Sequence, residues 1–70
     1  MMVEHDVIVP GNTVMIGENK FRLRYITKWD FQYRYHFQPA VEPLNPLVEN
    51  DVLIISVNVG QSLKFEVIPQ

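Results

Sequence analysis

Apolar and polar residues alternate along the middle of the chain. Phe21, Leu23 and Tyr25 are separated by Arg22 and Arg24, and Phe31, Tyr33, Tyr35 and Phe37 by Gln32, Arg34 and His36. A period of two belongs to strands with one buried face. Val7, Val9, Val14, Ile16, Leu53, Ile55, Val57, Val59, Phe65 and Val67 continue the pattern toward both ends and are mostly β-branched, which suits a pleated surface. No window carries a capped helical stripe. The pattern predicts an all-β domain, a small six-stranded antiparallel barrel or sandwich made of a meander plus a C-terminal hairpin. Strands are expected near 3–9, 13–16, 20–27, 31–38, 51–59 and 63–68.

Turn residues suggest the registers. A Gly11-Asn12 loop sets Val9 against Val14 and Val7 against Ile16, and a Glu18-Asn19 loop sets Ile16 beside Phe21 and Val14 beside Leu23. A two-residue loop at Lys28-Trp29 would mix the faces of the next pair. A three-residue loop, Lys28-Trp29-Asp30, aligns Tyr25 with Tyr33, Leu23 with Tyr35 and Phe21 with Phe37. Gly60-Gln61-Ser62 then turns a last hairpin that pairs Val57 with Phe65 and Ile55 with Val67. The core expected from these registers is Val7, Val9, Val14, Ile16, Phe21, Leu23, Tyr25, Tyr33, Tyr35, Phe37, Leu53, Ile55, Val57, Val59, Leu63, Phe65 and Val67. The stretch 39–50 contains Pro39, Pro43 and Pro46, so it reads as a connection rather than a central strand. The whole of 1–70 reads as a single domain.

Size sharpens this picture. A chain of 70 residues without cysteine has no disulfide and no thiolate metal site to reinforce a small core. Self-association is one remedy. Val52 and Ile54 point outward from a run that is apolar on both faces, with Ile68 opposite Ile54, while Ile8 and Met15 make a second outward apolar pair. These five residues are the expected oligomer interface, and a homo-oligomer is the expected state. The N-terminus is acidic where a signal peptide is basic, and no apolar run approaches membrane-spanning length, so no membrane association is expected. A cytoplasmic or virion-associated protein is expected.

Charge adds a candidate surface. The formal net charge is −2, yet Lys20, Arg22, Arg24, Lys28 and Arg34 are five of the six basic residues and have only Asp30 among them. In the expected registers Arg24 lies opposite Arg34 and Arg22 opposite His36, with Lys20 on the same outer face. Opposed like charges destabilise a sheet. Replacing Arg24 and Arg34 by glutamine is therefore expected to leave the melting temperature unchanged or raised. The basic face is read as a partner-binding surface, with Trp29 as an anchor at a hairpin tip. The alternative is a basic face neutralised by the chain's own Glu4, Asp6 and Glu66.

An acidic or mixed protein surface is the favoured partner. Phosphate or RNA ranks lower, because the total charge is small. The aromatic residues also alternate away from the arginines, whereas a base-stacking surface needs both together. Catalysis finds no signature. His5 and His36 are the only histidines and Ser56 and Ser62 the only serines, and there is no nucleophile elbow and no glycine-rich phosphate loop. His5 and Asp6, as strand neighbours, point apart. No metal, cofactor or enzymatic activity is expected. The expected function is a non-enzymatic interaction module, with a structural, self-assembling subunit or a phosphate- or RNA-binding domain as alternatives.

Overall fold

A computed structural model describes residues 1–40 and 53–69. Its six antiparallel strands are β1 (Met2–Glu4), β2 (Thr13–Ile16), β3 (Asn19–Trp29), β4 (Gln32–Pro39), β5 (Leu53–Asn58) and β6 (Lys64–Ile68). They form one sheet in the order β1-β6-β2-β3-β4-β5, and the sheet is not closed. The all-β expectation holds, but the C-terminal hairpin does not. β5 pairs with β4 (Tyr35 with Ile55, Tyr33 with Val57), while β6 lies between β1 and β2 (Val3 with Phe65, Val14 with Val67). The expected connection at 39–50 begins later, because β4 continues through Pro39, which pairs with Phe21. The rest of that connection lies outside the described residues.

The N-terminal strand is shorter than the alternation suggests. Residues 5–12 form turns rather than a strand beside β2. The Asn12 amide donates to the Val9 carbonyl at 3.1 Å around Pro10 and Gly11, with Gly11 at φ +98°. Proline followed by a glycine of positive φ is the pattern of a type II turn, which does not match the twist of a tight hairpin. The Gly11 amide instead donates to the Leu23 carbonyl at 2.8 Å, and the Leu23 amide to Asn12 at 2.9 Å. Val7 and Val9 consequently stand exposed, and Ile8, expected to face outward, is buried.

The β2–β3 loop is Gly17-Glu18, since Ile16 pairs with Asn19 and Val14 with Phe21. This register differs by two residues from the expected one, so every side chain keeps its face. Gly17 has φ +64°, and an added Cβ would meet nothing within 4 Å. Gly17→Ala therefore carries only the backbone cost of the left-handed region, about 1–2 kcal/mol. That loss should appear as a lower urea midpoint; an unchanged midpoint would mean that the loop does not need this conformation.

The β3–β4 pair holds the largest departure. Its loop is Asp30-Phe31, with Trp29 paired to Gln32, Lys28 to Tyr33 and Ile26 to Tyr35. The register then shifts between Leu23 and Tyr25, so that Leu23 pairs with Phe37. A β-bulge at Arg24 absorbs one residue. Before it Phe21 and Leu23 face the core, and after it Ile26 does, which turns Tyr25 to the outside. The core is Ile8, Val14, Leu23, Tyr35, Phe37, Val57 and Phe65, flanked by Val3, Ile16, Phe21, Ile26, Tyr33, Leu53, Ile55, Leu63 and Val67. The Phe65 ring meets Phe37 at 5.4 Å and Tyr35 at 5.8 Å between centroids, so the sheet curls until β6 reaches β4. Val59, expected in the core, is exposed like Val7, Val9 and Tyr25.

Candidate functional site

The bulge decides what the outer face of β3, β4 and β5 carries. Cross-strand pairs on that face are Arg22 with Gln38, Tyr25 with His36, Thr27 with Arg34 and Trp29 with Gln32. β5 adds Ile54 beside His36, Ser56 beside Arg34 and Asn58 beside Gln32. No carboxylate occupies an outward position on these three strands. On the other half of the sheet the outward ladder does contain acids, with Met2 paired to Glu66 and Glu4 to Lys64.

Two aromatic platforms stand on this face. The Tyr25 ring stacks on His36 at 4.1 Å with an interplanar angle of 14°. His36 is buried beneath it and forms a hydrogen bond from Nε2 with Thr27 Oγ1 at 2.9 Å. The Arg34 guanidinium lies 5.0 Å from the centroid of the Trp29 ring, and its Nε donates to Gln32 Oε1 at 3.1 Å. Tyr25 and Trp29 remain 50% and 59% exposed. A cleft of about 630 Å³ at the hairpin tip is lined by Lys28, Trp29, Asp30, Phe31, Gln32 and Arg34.

The expected basic cluster is thus redistributed. Arg24 and Arg34 are not opposed, because the bulge carries Arg24 out of the ladder and places Thr27 opposite Arg34. Arg22 is opposite Gln38 rather than His36, for the same reason. Lys20 and Arg22 border a separate cleft of about 300 Å³ with Thr13, Ala40, Ile68 and Pro69. Among the described residues, neutralisation by Glu4, Asp6 or Glu66 is not seen. The side chains of Lys20, Arg22 and Arg24 make no ion pair or hydrogen bond among the described residues. Asp6, one of the acids considered for neutralising the basic face, instead lines a cleft of about 340 Å³ with Glu4, His5, Tyr33 and residues 59–62.

The double-glutamine expectation changes with this geometry. No like-charge pair exists to be relieved. Arg34→Gln should lower stability by about 0.5–1 kcal/mol, through loss of its packing on an exposed indole. Arg24→Gln should fall within about 0.5 kcal/mol of the parent. Urea unfolding of the two single variants reads the difference, and stabilisation by Arg34→Gln would refute the arrangement.

The expected interface residues also separate. Ile8 is buried against its own chain, Met15 lies between Lys20 and Glu66, and Ile68 pairs with Thr13 rather than standing opposite Ile54. Ile54 is 51% exposed on β5, at one end of the strand order. Val52 lies outside the described residues.

One polar pair escaped the sequence reading. His5 is buried, its Nε2 is 2.9 Å from the Gln61 carbonyl, and its Nδ1 is 2.6 Å from the Tyr35 hydroxyl. A carbonyl only accepts, so in the neutral ring Nε2 carries the proton and Tyr35 donates to Nδ1. Both ring nitrogens are committed within the chain. Burial, reinforced by Tyr33 and Asp6, pushes the Tyr35 hydroxyl up to about 12. No protein family, curated protein or solved structure matches this chain.

Proposed function

We propose that this protein is a non-enzymatic binding module that takes an anionic partner on the outer face of β3, β4 and β5. The carrying observation is that β3, β4 and β5 place no carboxylate outward, while exposed Tyr25 and Trp29 are backed there by His36 and Arg34. Arg22 and Arg24, whose side chains have no partner among the described residues, extend its positive potential beyond these contacts. Behind the face, the sheet curls in the manner of an open barrel, so that a packed core supports the platforms from beneath. Aromatic rings and arginine dominate binding energy wherever they are held in place before the partner arrives.

Chemical-shift mapping at low salt tests this with a panel of polyanions: an oligonucleotide, polyglutamate and a heparin fragment. At least one should move the amide signals of Thr27, Arg34 and Ser56 and leave Val3 and Phe65 in place. A panel that binds nowhere, or only on β1 and β6, would overturn the proposal.

Self-association is a second reading, favoured by Ile54. This half-exposed isoleucine sits on an edge strand, whose free backbone groups invite pairing with a second copy. Sedimentation should then give a mass that rises with concentration, and Ile54→Lys should give a folded monomer. A parent protein that stays monomeric throughout the micromolar range would refute it.

A further inference from the structure

Resting on that binding reading, we infer that the anion is a single-stranded nucleic acid, one of whose bases enters the β3–β4 tip cleft and stacks on Trp29. The cleft combines two exposed aromatic rings with an arginine on the same face. Trp29 is 59% exposed and Phe31 71%, and the Arg34 guanidinium lies 5.0 Å from the centroid of the indole ring. Among the described residues Arg34 uses only Nε, which leaves its terminal N–H groups open to a phosphate. Bases present a flat π-face whatever their identity, and stacking on such rings beside a backbone-tracking cation is the general means of holding a single strand.

Charge and spacing select this partner over an acidic peptide or a duplex. Among the described residues Asp30 is the one carboxylate lining the cleft, and it opposes any anion that offers charge alone. It can accept a hydrogen bond from an exocyclic amino group of a base, as carboxylates do from cytosine. A glutamate side chain has no face to stack on an indole, and the bases of a duplex are stacked already. Tyr25 provides a second platform four residues before Trp29 on the same strand face. At strand rise the two rings are about 13 Å apart, within reach of one short strand.

Trp29 is the only tryptophan in the chain, so its fluorescence reports on the cleft directly. The probes are uridine and cytidine oligonucleotides of about ten nucleotides, an abasic sugar-phosphate strand of equal length and a polyglutamate peptide. The base-bearing strands should quench Trp29 and bind about tenfold or more tightly than the abasic strand. Anisotropy of a labelled oligonucleotide should show Trp29→Ala and Phe31→Ala each weakening binding about tenfold with unchanged circular dichroism. One phosphate contact in the cleft, at Arg34, implies a salt slope of about −0.7. Equal binding of the abasic strand would overturn the inference and leave the anion-binding reading intact. So would polyglutamate binding without oligonucleotide binding, which would make the partner an acidic protein. Failure of every probe would remove both.

Discussion

Phe37→Ala should leave this chain without a stable fold. Phe37 is fully buried, pairs with Leu23 and Leu53 on its two flanking strands, and packs its ring against Phe65. It therefore joins both halves of the curled sheet. Truncating a buried phenylalanine costs about 3–5 kcal/mol. A core of this size rarely supplies more than about 3–5 kcal/mol in total. Amide dispersion in NMR spectra and urea unfolding read the outcome. Phe31→Ala is the control, because Phe31 is 71% exposed and should change stability by no more than about 0.5 kcal/mol. A cooperative unfolding transition in Phe37→Ala close to that of the parent would show that the two halves of the sheet do not depend on this ring.

The contrast between Phe37 and Phe31 also shows what was legible in the sequence. Both occupy one alternating series, Phe31-Tyr33-Tyr35-Phe37, and periodicity alone assigns them one face. It placed Tyr33, Tyr35 and Phe37 correctly, because β4 runs without interruption from Gln32 to Pro39. Phe31 falls instead in the two-residue loop. On β3 the series Phe21-Leu23-Tyr25 is equally regular, but the bulge at Arg24 breaks it in space and leaves no mark in the spacing. The exposed Tyr25 platform follows from that bulge, and so does the reunion of aromatics and arginine on one surface. One of the two reasons for ranking nucleic acid low, the separation of aromatics and arginine onto opposite faces, disappears with it, while the small total charge stands.

Long-range pairing was illegible for a different reason. Gly60, Gln61 and Ser62 have hairpin chemistry, yet residues 59–63 carry the chain from one edge strand to a position beside the other. The Val59 amide donates to the Phe31 carbonyl and the His5 amide to the Leu63 carbonyl, each at 2.8 Å. Turn residues report local bending, whereas the choice between β4 and β6 as partner of β5 is made by the curl of the whole sheet. His5 is a similar case. A lone histidine in a segment that resembles a strand gives no sign that a tyrosine 30 positions later will bind it.

That histidine and tyrosine give the second large effect, a loss at neutral pH that closes at alkaline pH. At neutral pH, Tyr35→Phe removes the donor to buried His5 Nδ1 and should cost about 1–3 kcal/mol. In the unfolded chain Tyr35 ionises near its ordinary value of 10.0, but in the folded chain burial, then Tyr33 and Asp6, push it up to about 12. Between those values the unfolded chain has released a proton that the native chain retains, so stability falls as pH rises. The slope is about 1.4 kcal/mol per pH unit, or roughly 2–3 kcal/mol over the window, with no further loss from this group above it. Phenylalanine has no proton to release, so Tyr35→Phe lacks this component. The stability gap between parent and variant should be widest below about pH 10 and should close as the pH approaches about 12. Urea unfolding of both proteins in half-unit steps across that range measures the gap. Two curves that stay parallel would mean that Tyr35 ionises alike in both states, and that its bond to His5 does not hold the hydroxyl proton in the core.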